Sequence, residues 1–242
     1  MSDLAHYAQG LFGLSLTAQQ LGQFQRYQEE LLAWNERMNL TAITDPQQVM
    51  VRHFLDSLSV TRVIGFDAGD RLVDVGTGAG FPGLPLAIAF PQLRVTLMDG
   101  TAKKLKFLDH VVRTLGLTNV GTVHARAEEA AHLPLHRAAY DVVVARAVAR
   151  LPTLAEYLLP LAKIGGFCLA LKGQTAGQEM EDARRAVYVL GGSFKPPLAI
   201  ELPGLEEAHV LVTIEKVRKT PDDYPRQQGL PSKKPIGSRE KP

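Results

Sequence analysis

From residue 71 onward, short apolar runs alternate with stretches of helical periodicity, and this alternation restricts the fold more than any other feature. Strands such as Asp141-Val142-Val143-Val144-Ala145 are almost continuously apolar, which is typical of a parallel sheet covered on both faces. The pattern therefore predicts a doubly wound, mostly parallel α/β sheet. The predicted strands are 71–75, 94–98, 120–124, 140–145 and 166–171, and the helices between them are about 83–90, 102–115, 126–132 and 152–163.

The N-terminal part of the chain has a different, helical pattern over residues 17–65. Thr17 and Gln20 have the spacing of a capping box, which marks a helix start. A second start follows at Asp45-Pro46-Gln47-Gln48, where an N-cap residue precedes proline at the first helical position.

Beyond residue 175 the sequence predicts one more helix, to about residue 190, and two strands near 196–202 and 208–217. These patterns divide the chain into three parts. They are an N-terminal helical extension packed on the core (1–65), an α/β domain (66–218) and a basic, proline-rich C-terminal tail (219–242).

Composition excludes several classes of protein. Hydrophobic residues make up 45% of the 242 residues, as in globular proteins that bury a core. No apolar run approaches the roughly 18 residues of a membrane span. The N-terminus lacks the features of a secretory signal, and the one cysteine, Cys168, fits a reducing compartment. We expect a cytoplasmic protein, and, because nothing resembles a coiled-coil seam, a monomer.

Positive charge is concentrated at the C-terminus. The whole chain carries +2, but residues 216–242 contain eight Lys or Arg against three Asp or Glu, so this segment carries +5 and the remainder −3. Such a distribution is typical of a protein that binds a polyanion, and equally of a tail that only aids solubility.

A glycine-rich segment, Gly76-Thr77-Gly78-Ala79-Gly80, follows the first predicted strand directly. Glycines let the backbone turn tightly and approach a ligand, and the helix that starts at Pro82 or Gly83 turns its first N–H groups to the same ligand. Gly78–Gly83 also satisfies the G-x-G-x-x-G pattern, so the loop alone leaves a nicotinamide or flavin cofactor open.

Three acidic residues favour S-adenosylmethionine over a dinucleotide. Asp74 lies two positions before the first glycine, where it could face the cationic methionine end of the cofactor. Asp99 ends the next strand, where it can accept hydrogen bonds from both ribose hydroxyls, and Glu128 can approach the adenine amino group. A dinucleotide site predicts only the Asp99 feature. The alternatives are that Asp74 caps the turn and that Glu128 complements a helix dipole.

Two more residues are candidates for the same site. Phe81, inside the loop, is predicted to pack on the cofactor, with a core position as the alternative. Arg146 follows a buried strand at its carboxyl end, where such sheets bind ligands. We predict that Arg146 acts catalytically by orientation and electrostatics at the acceptor base, with a plain surface charge as the alternative. We predict neither a general base nor a metal site.

The end of the fourth strand narrows the choice of methyl acceptor. Enzymes that methylate an exocyclic base amine usually carry an acid or asparagine, two prolines and an aromatic residue there, whereas this chain has Ala145-Arg146-Ala147-Val148-Ala149. Methylation of pyrimidine carbon 5 needs a cysteine nucleophile, but Cys168 lies in a strand that reads as buried. The methyl acceptors that remain are groups that are nucleophilic without activation, and guanine N7 is one of them. These residues leave an RNA 2′-hydroxyl, a protein side chain and a small molecule open as well.

Four stretches together resemble one family over nearly the whole chain. The first and last of them are not general methyltransferase features. They are Asn39–Ile43 with His53–Leu58, Asp74–Leu86, Ala145–Val148, and Tyr224–Pro231. With these the chain resembles the bacterial small-subunit ribosomal RNA methyltransferase G family, also called the glucose-inhibited division protein B family.

The resemblance implies a class I S-adenosylmethionine-dependent methyltransferase with a seven-stranded, Rossmann-like sheet. It implies transfer to guanine N7 in a hairpin loop of 16S rRNA near the decoding centre, with 16S rRNA or the small ribosomal subunit as partner. Gly100 and Thr101 depart from the family, which more often has serine or alanine after the acid. The predicted cofactor site is Asp74, Gly76, Gly78, Phe81, Asp99, Gly100, Thr101, Ala127, Glu128 and Arg146.

For contact with RNA we predict Arg226, Lys233 and Lys234 of the tail, and His53, for which a structural role beside the apolar Phe54 and Leu55 is an equal alternative. We expect the residues after Ile236 to be disordered. Two other functions stay open at this point. One is a methyltransferase that acts on a protein or small molecule, and the other is a non-catalytic module that binds the cofactor or RNA.

Overall fold

A mixed sheet organises residues 1–207 and 209–237, which are the residues that the structure, a computed structural model, describes. Its strands are β1 (Arg71–Val75), β2 (Arg94–Asp99), β3 (Val120–His124), β4 (Tyr140–Arg146), β5 (Ala162–Lys172), β6 (Gly192–Phe194), β7 (Leu198–Ile200) and β8 (His209–Lys216).

The strand order is β3-β2-β1-β4-β5-β8-β6, and β7 pairs with β8 outside this path. Strands β1 to β5 are parallel, whereas β8 runs antiparallel to β5, β6 and β7. The predicted doubly wound, mostly parallel sheet is confirmed. Since β1 has β2 on one side and β4 on the other, the chain order reverses at β1, and ligands bind at such a reversal beyond the carboxyl ends of the strands.

Helices cover both faces of the sheet. In the described residues they are α1 (Ser2–Phe12), α2 (Ala18–Met38), α3 (Pro46–Val49), a π-helical segment (Met50–Leu55), α4 (Asp56–Leu58), a 3-10 segment (Ser59–Arg62), α5 (Gly83–Ala89), α6 (Ala102–Thr114), α7 (Ala127–Ala130), α8 (Leu151–Leu158), α9 (Ala176–Val189) and α10 (Leu230–Lys233).

Alternation along β1 shows how the sheet separates two cores. Leu72 packs with Phe24 and other side chains of the N-terminal helices on one face. Val73 and Val75 point the other way, into a core shared with α8 and α9. Because successive side chains of a strand point to opposite faces, one apolar strand supports both layers. The N-terminal helices therefore share a core with α5 and α6 on one face of the sheet.

Most predicted elements form within a few residues of their expected bounds, and β1 and β3 match them. The structure adds α1 and β6, which the sequence pattern did not predict. Strand β5 begins at Ala162 rather than residue 166, and the helix predicted for 152–163 ends at Leu158. Gly165 has φ +85°, and a Cβ at Gly166 would stand 2.7 Å from the Asp141 carbonyl oxygen. Here the glycines let a strand bend against its neighbour.

The C-terminal tail packs on the body of the protein: α10 contacts α8, and Gly237 lies beside Arg185 of α9. The Arg137 guanidinium donates to the carbonyl oxygens of Thr220, Pro221 and Tyr224 at 3.3, 3.1 and 2.8 Å. The disorder expected after Ile236 concerns residues 238–242, which lie outside the described residues. None of the helices in 1–207 and 209–237 combines the length and apolarity that a membrane span needs.

Candidate active site

The glycine loop after β1 is tied to the end of β2. The N–H groups of Gly76 and Thr77 both donate to the Met98 carbonyl oxygen, at 2.8 and 3.1 Å. Gly76 has φ +66°, and a Cβ there would stand 2.7 Å from Val148 Cγ2. Both the left-handed backbone and the lack of space require glycine at this position.

Asp74 lies beneath this loop, fully buried. Its Oδ2 accepts hydrogen bonds from the Thr77 hydroxyl at 2.6 Å and from the Gly83 N–H at 2.8 Å. Burial raises the pKa of the carboxyl to about 6. We expected Asp74 to face the cofactor, whereas the structure places it behind the loop, in the turn-capping position that was the alternative.

Asp99 forms the floor of a cleft beyond β1 and β2. Its Oδ2 accepts from the Gly78 N–H at 3.0 Å, and its Oδ1 accepts from the Thr101 N–H at 2.8 Å. A carboxylate offers about four acceptor positions, so each oxygen keeps capacity for another donor. The Lys104 ammonium lies 3.6 Å from Oδ2.

Glu128, with Ala127 beside it, lines the other end of this cleft. Its Oε1 accepts a hydrogen bond from the Gly229 N–H of the tail at 3.3 Å. A second partner is Tyr157, whose pKa is raised by burial and by the neighbouring Glu128. Tyr157 was not predicted as a site residue, because on helix α8 its position reads as part of an apolar face.

The cleft has a volume of about 360 Å³. Of the predicted cofactor residues, Gly76, Asp99, Gly100, Thr101, Ala127 and Glu128 line it. The structure does not bring Asp74, Gly78, Phe81 and Arg146 to its wall, although the Gly78 N–H orients Asp99. Lys104, Arg126 and Tyr157 also line the cleft and were missed. We call this space the first cleft.

Phe81 lies in an aromatic stack outside the first cleft. Its ring centroid is 4.5 Å from that of His53 and 5.3 Å from that of Tyr27. The Arg146 guanidinium carbon lies 4.9 Å from the centre of the Phe81 ring, a cation–π arrangement. Phe81 thus joins the N-terminal helices to the end of β4, which is the core position that was the alternative, and its contact with a cofactor stays a prediction.

The Arg146 side chain is held by the N-terminal helical segment. Nη1 donates to the Arg52 carbonyl oxygen at 2.8 Å and to Asp56 Oδ2 at 3.1 Å. Asp56 Oδ1 lies 3.0 Å from His209 Nδ1 on β8. Sequence reasoning did not identify Asp56 and His209, because only the packing of distant segments brings them to Arg146.

His53 belongs to the same cluster. Nδ1 lies 3.2 Å from Arg146 Nη2, and Nε2 lies 2.9 Å from Thr41 Oγ1. Burial, and then the charge of Arg146, lowers the pKa of His53 to about 4. His53 is therefore a buried, neutral side chain beside Arg146, as the structural alternative predicts, and its contact with RNA stays a prediction.

A second cleft, of about 590 Å³, opens on this cluster. Its walls include Arg52, His53, Asp56, Arg146, Lys172, Glu207 and His209. Ala147, which has φ +56°, lines both clefts. The two clefts therefore meet at one residue at the carboxyl end of β4.

The tail cations differ in availability. Both Lys233 and Lys234 are exposed, as predicted for RNA contacts. The guanidinium of Arg226, in contrast, forms an ion pair with the buried carboxylate of Glu156 at 2.6 Å. The arginine predicted to contact a phosphate is therefore already paired within the protein. Arg239 and Lys241 lie outside the described residues.

Cys168 is excluded as a nucleophile by its surroundings. The side chain is buried in β5, and burial raises the pKa of its thiol to about 12. Since the thiolate is the reactive form, the prediction of a core residue is confirmed.

Comparison with known proteins places this chain in a family. Residues 20–196 match the family described as rRNA small subunit methyltransferase G. The chain belongs to the rRNA small subunit methyltransferase G family. Curated proteins of that name from Geobacillus kaustophilus and Roseiflexus castenholzii are 47% and 51% identical to it, over 93% of this chain and 94% and 95% of theirs. Membership confirms the prediction of a methyltransferase that uses S-adenosylmethionine.

Solved structures outside this family share the fold. TrmN from Thermus thermophilus superposes with a TM-score of 0.52 at 21% identity, over 69% of this chain and 53% of that chain. TYW2 from P. horikoshii, solved in complex with MeSAdo, superposes with a TM-score of 0.52 at 16% identity, over 67% and 61%. These likenesses confirm the class I methyltransferase fold.

Proposed function

We propose that the protein transfers a methyl group from S-adenosylmethionine in the first cleft to guanine N7 of 16S rRNA in the second cleft. One observation carries this assignment of the clefts: Ala147 lines both, so a donor in one and an acceptor in the other meet there. Family membership supports ribosomal RNA as the substrate, because the relatives carry that substrate in their names.

The residues of the first cleft fit the cofactor. Asp99 has acceptor capacity left for the two ribose hydroxyls, and Glu128 can accept a hydrogen bond from the adenine amino group. Gly76 lets the backbone at the wall of the cleft pack directly against Val148, where a Cβ would clash at 2.7 Å. When bound, S-adenosylmethionine supplies an electrophilic methyl group on a sulfonium.

In the second cleft the chain has to hold and orient a base. Guanine N7 has a free lone pair and no proton to lose, so the transfer needs no general base. Arg146 is a donor only, and Asp56 and Phe81 fix its guanidinium. We assign Arg146 the catalytic role of orienting the base by a hydrogen bond to guanine O6, since arginine commonly donates to that edge.

For the chain as a whole we propose the division 1–65, 66–218 and 219–242. The N-terminal extension supplies one wall of the acceptor cleft. The tail presents Lys233 and Lys234 to phosphates. We further propose that the protein acts as a monomer in the cytoplasm, where its substrate is made.

The test is to incubate the protein and labelled S-adenosylmethionine with small subunits, naked 16S rRNA and bulk protein from a strain that lacks the enzyme. Label in 16S rRNA, with strand scission at N7-methylated guanosine after reduction and aniline treatment, is the expected result. Label only in protein, or only in a small molecule, would contradict the proposal. Cofactor binding without any transfer would favour the non-catalytic module.

A further inference from the structure

An ion pair between Arg52 and Glu207 lies at the mouth of the second cleft. Arg52 Nη1 donates to Glu207 Oε2 at 2.6 Å, and Arg52 Nε donates to Gln48 Oε1 at 2.8 Å. The Arg52 side chain is 31% exposed and that of Glu207 is 59% exposed. The pair thus forms a solvent-exposed link between the π-helical segment and the loop before β8.

The other cations in the wall of this cleft are held more firmly. Arg146 pairs with the buried Asp56, and Lys172 pairs with the buried Glu179 at 2.8 Å. Removing a partner from a buried pair leaves an uncompensated charge and strongly destabilises the fold, whereas an exposed pair contributes little to stability. Among the described residues of the cleft wall, Arg52 is therefore the cation that can exchange its partner at least cost.

We propose that Arg52 binds a phosphodiester of the RNA next to the target guanosine, and that the Glu207 carboxylate occupies this anion position until RNA arrives. A guanidinium presents the same fork of N–H donors to a carboxylate and to a phosphate, so one can replace the other. This inference rests on the proposed function, because it assumes that the second cleft receives an RNA nucleotide.

The backbone of Arg52 links this phosphate position to the base position. Its carbonyl oxygen accepts a hydrogen bond from Arg146 Nη1 at 2.8 Å. The residue that holds the phosphate therefore also holds the arginine assigned to the base. A nucleotide bound at both points is fixed at its base and at its backbone, and such two-point orientation favours transfer.

The experiment measures binding of unmethylated 16S rRNA over a range of salt concentrations, with labelled RNA and without cofactor. Arg52→Ala should weaken binding about tenfold near 0.1 M salt and reduce the slope of log affinity against log salt by about 0.7 to 1, the value for one phosphate contact. Glu207→Gln should strengthen binding several-fold. The gain from Glu207→Gln should disappear in the Arg52→Ala background, because the carboxylate then has no site to block.

Glu181 supplies a matched control. It forms an ion pair with Arg184 at the same distance of 2.6 Å and is likewise 59% exposed, but it lies on α9 and outside the cleft wall. Glu181→Gln removes the same charge and should leave RNA affinity unchanged. Equal gains from the two substitutions, or a gain from Glu207→Gln that survives in Arg52→Ala, would overturn the proposal. An unchanged salt slope in Arg52→Ala would overturn it as well.

Two further measurements separate this inference from the proposed function. Affinity for S-adenosylhomocysteine and the free energy of unfolding should stay at the wild-type values in Arg52→Ala and Glu207→Gln, which excludes general damage. If Arg52→Ala loses the salt-dependent contact but the wild-type protein transfers no methyl group to rRNA, the proposed function is contradicted and the phosphate site is retained. Methyl transfer to guanine N7, with RNA affinity and salt slope unchanged in Arg52→Ala, would support the function and contradict the phosphate site.

Discussion

Arg226 holds the carboxylate of Glu156 through the two N–H donors on one edge of its guanidinium. Nε donates to Oε1 at 2.9 Å, Nη2 donates to Oε2 at 2.6 Å, and the Arg226 backbone N–H donates to Oε1 at 2.7 Å. The Glu156 side chain is 0% exposed. This pair fixes the tail to α8, three residues before Gly229 contacts Glu128 in the first cleft. The tail is thus part of the folded body and reaches the wall of the first cleft.

Arg226→Ala should lower the free energy of unfolding by about 3–5 kcal/mol, because it leaves Glu156 charged and buried without a partner. Arg226→Lys should recover part of this loss, since lysine keeps the charge but not the two parallel hydrogen bonds of the guanidinium. Urea denaturation followed by circular dichroism measures both. Arg184→Ala removes an exposed helix pair and serves as control, with no measurable change expected. Equal stability of Arg226→Ala and Arg184→Ala would contradict the anchoring role.

Asp99→Asn should weaken the binding of S-adenosylhomocysteine by roughly ten- to a hundredfold, the loss expected for hydrogen bonds to a charged acceptor. The amide offers one acceptor oxygen in place of two, so it cannot serve the N–H groups of Gly78 and Thr101 and the ribose hydroxyls together. Titration calorimetry measures the affinity. Asp109→Asn, on an exposed position of α6, should bind normally. If Asp99→Asn also bound normally, Asp99 would not be part of the cofactor site.

Asp56→Asn should reduce the rate constant of transfer at least tenfold, the effect of losing a precise orientation at the reacting base. The substitution removes the charge that holds Arg146 and His209, yet it leaves the first cleft untouched. Single-turnover kinetics at saturating cofactor measure the rate, and calorimetry measures cofactor affinity, which should not change. A fall in cofactor affinity equal to the fall in rate would instead place Arg146 at the cofactor, as first predicted from the sequence.

The fold and half of the cofactor site could be predicted from the sequence because both depend on local signals. Apolar strands fix the sheet, and in a parallel sheet the residue that ends a strand, such as Asp99, lies at the ligand edge whatever surrounds it. Gly76 is required by its own backbone conformation. At these positions the residues adjacent in sequence are enough to determine where the side chain or backbone lies in the fold.

The remaining residues depend on contacts between distant segments. Phe81 reads as a cofactor contact because it lies in the loop, but the N-terminal helices bring Tyr27 and His53 to its ring. Arg226 reads as a free cation because nothing in the sequence near it shows Glu156, 70 positions earlier. Only the tertiary structure shows which charges are already paired.

Asp74 gives a prediction about pH. Its folded pKa is raised to about 6 from an ordinary value of 3.8, so between these values the folded state holds a proton that the unfolded state has released. The resulting stability is fully present below about pH 4 and is lost as pH rises to about 6. Its full size is on the order of 3 kcal/mol, from a shift of about two pKa units.

Asp74→Asn cannot titrate, and its side-chain oxygen can still accept from Thr77 and Gly83. The stability of wild type relative to this variant should therefore fall between pH 4 and pH 6.5 and then stay constant. Because both proteins contain His53 and every other titrating group, the difference between them isolates Asp74. Urea denaturation at half-unit pH steps gives this difference. A constant difference over the whole range would mean that the buried carboxyl keeps its ordinary pKa, and that the Thr77 and Gly83 donors offset its burial.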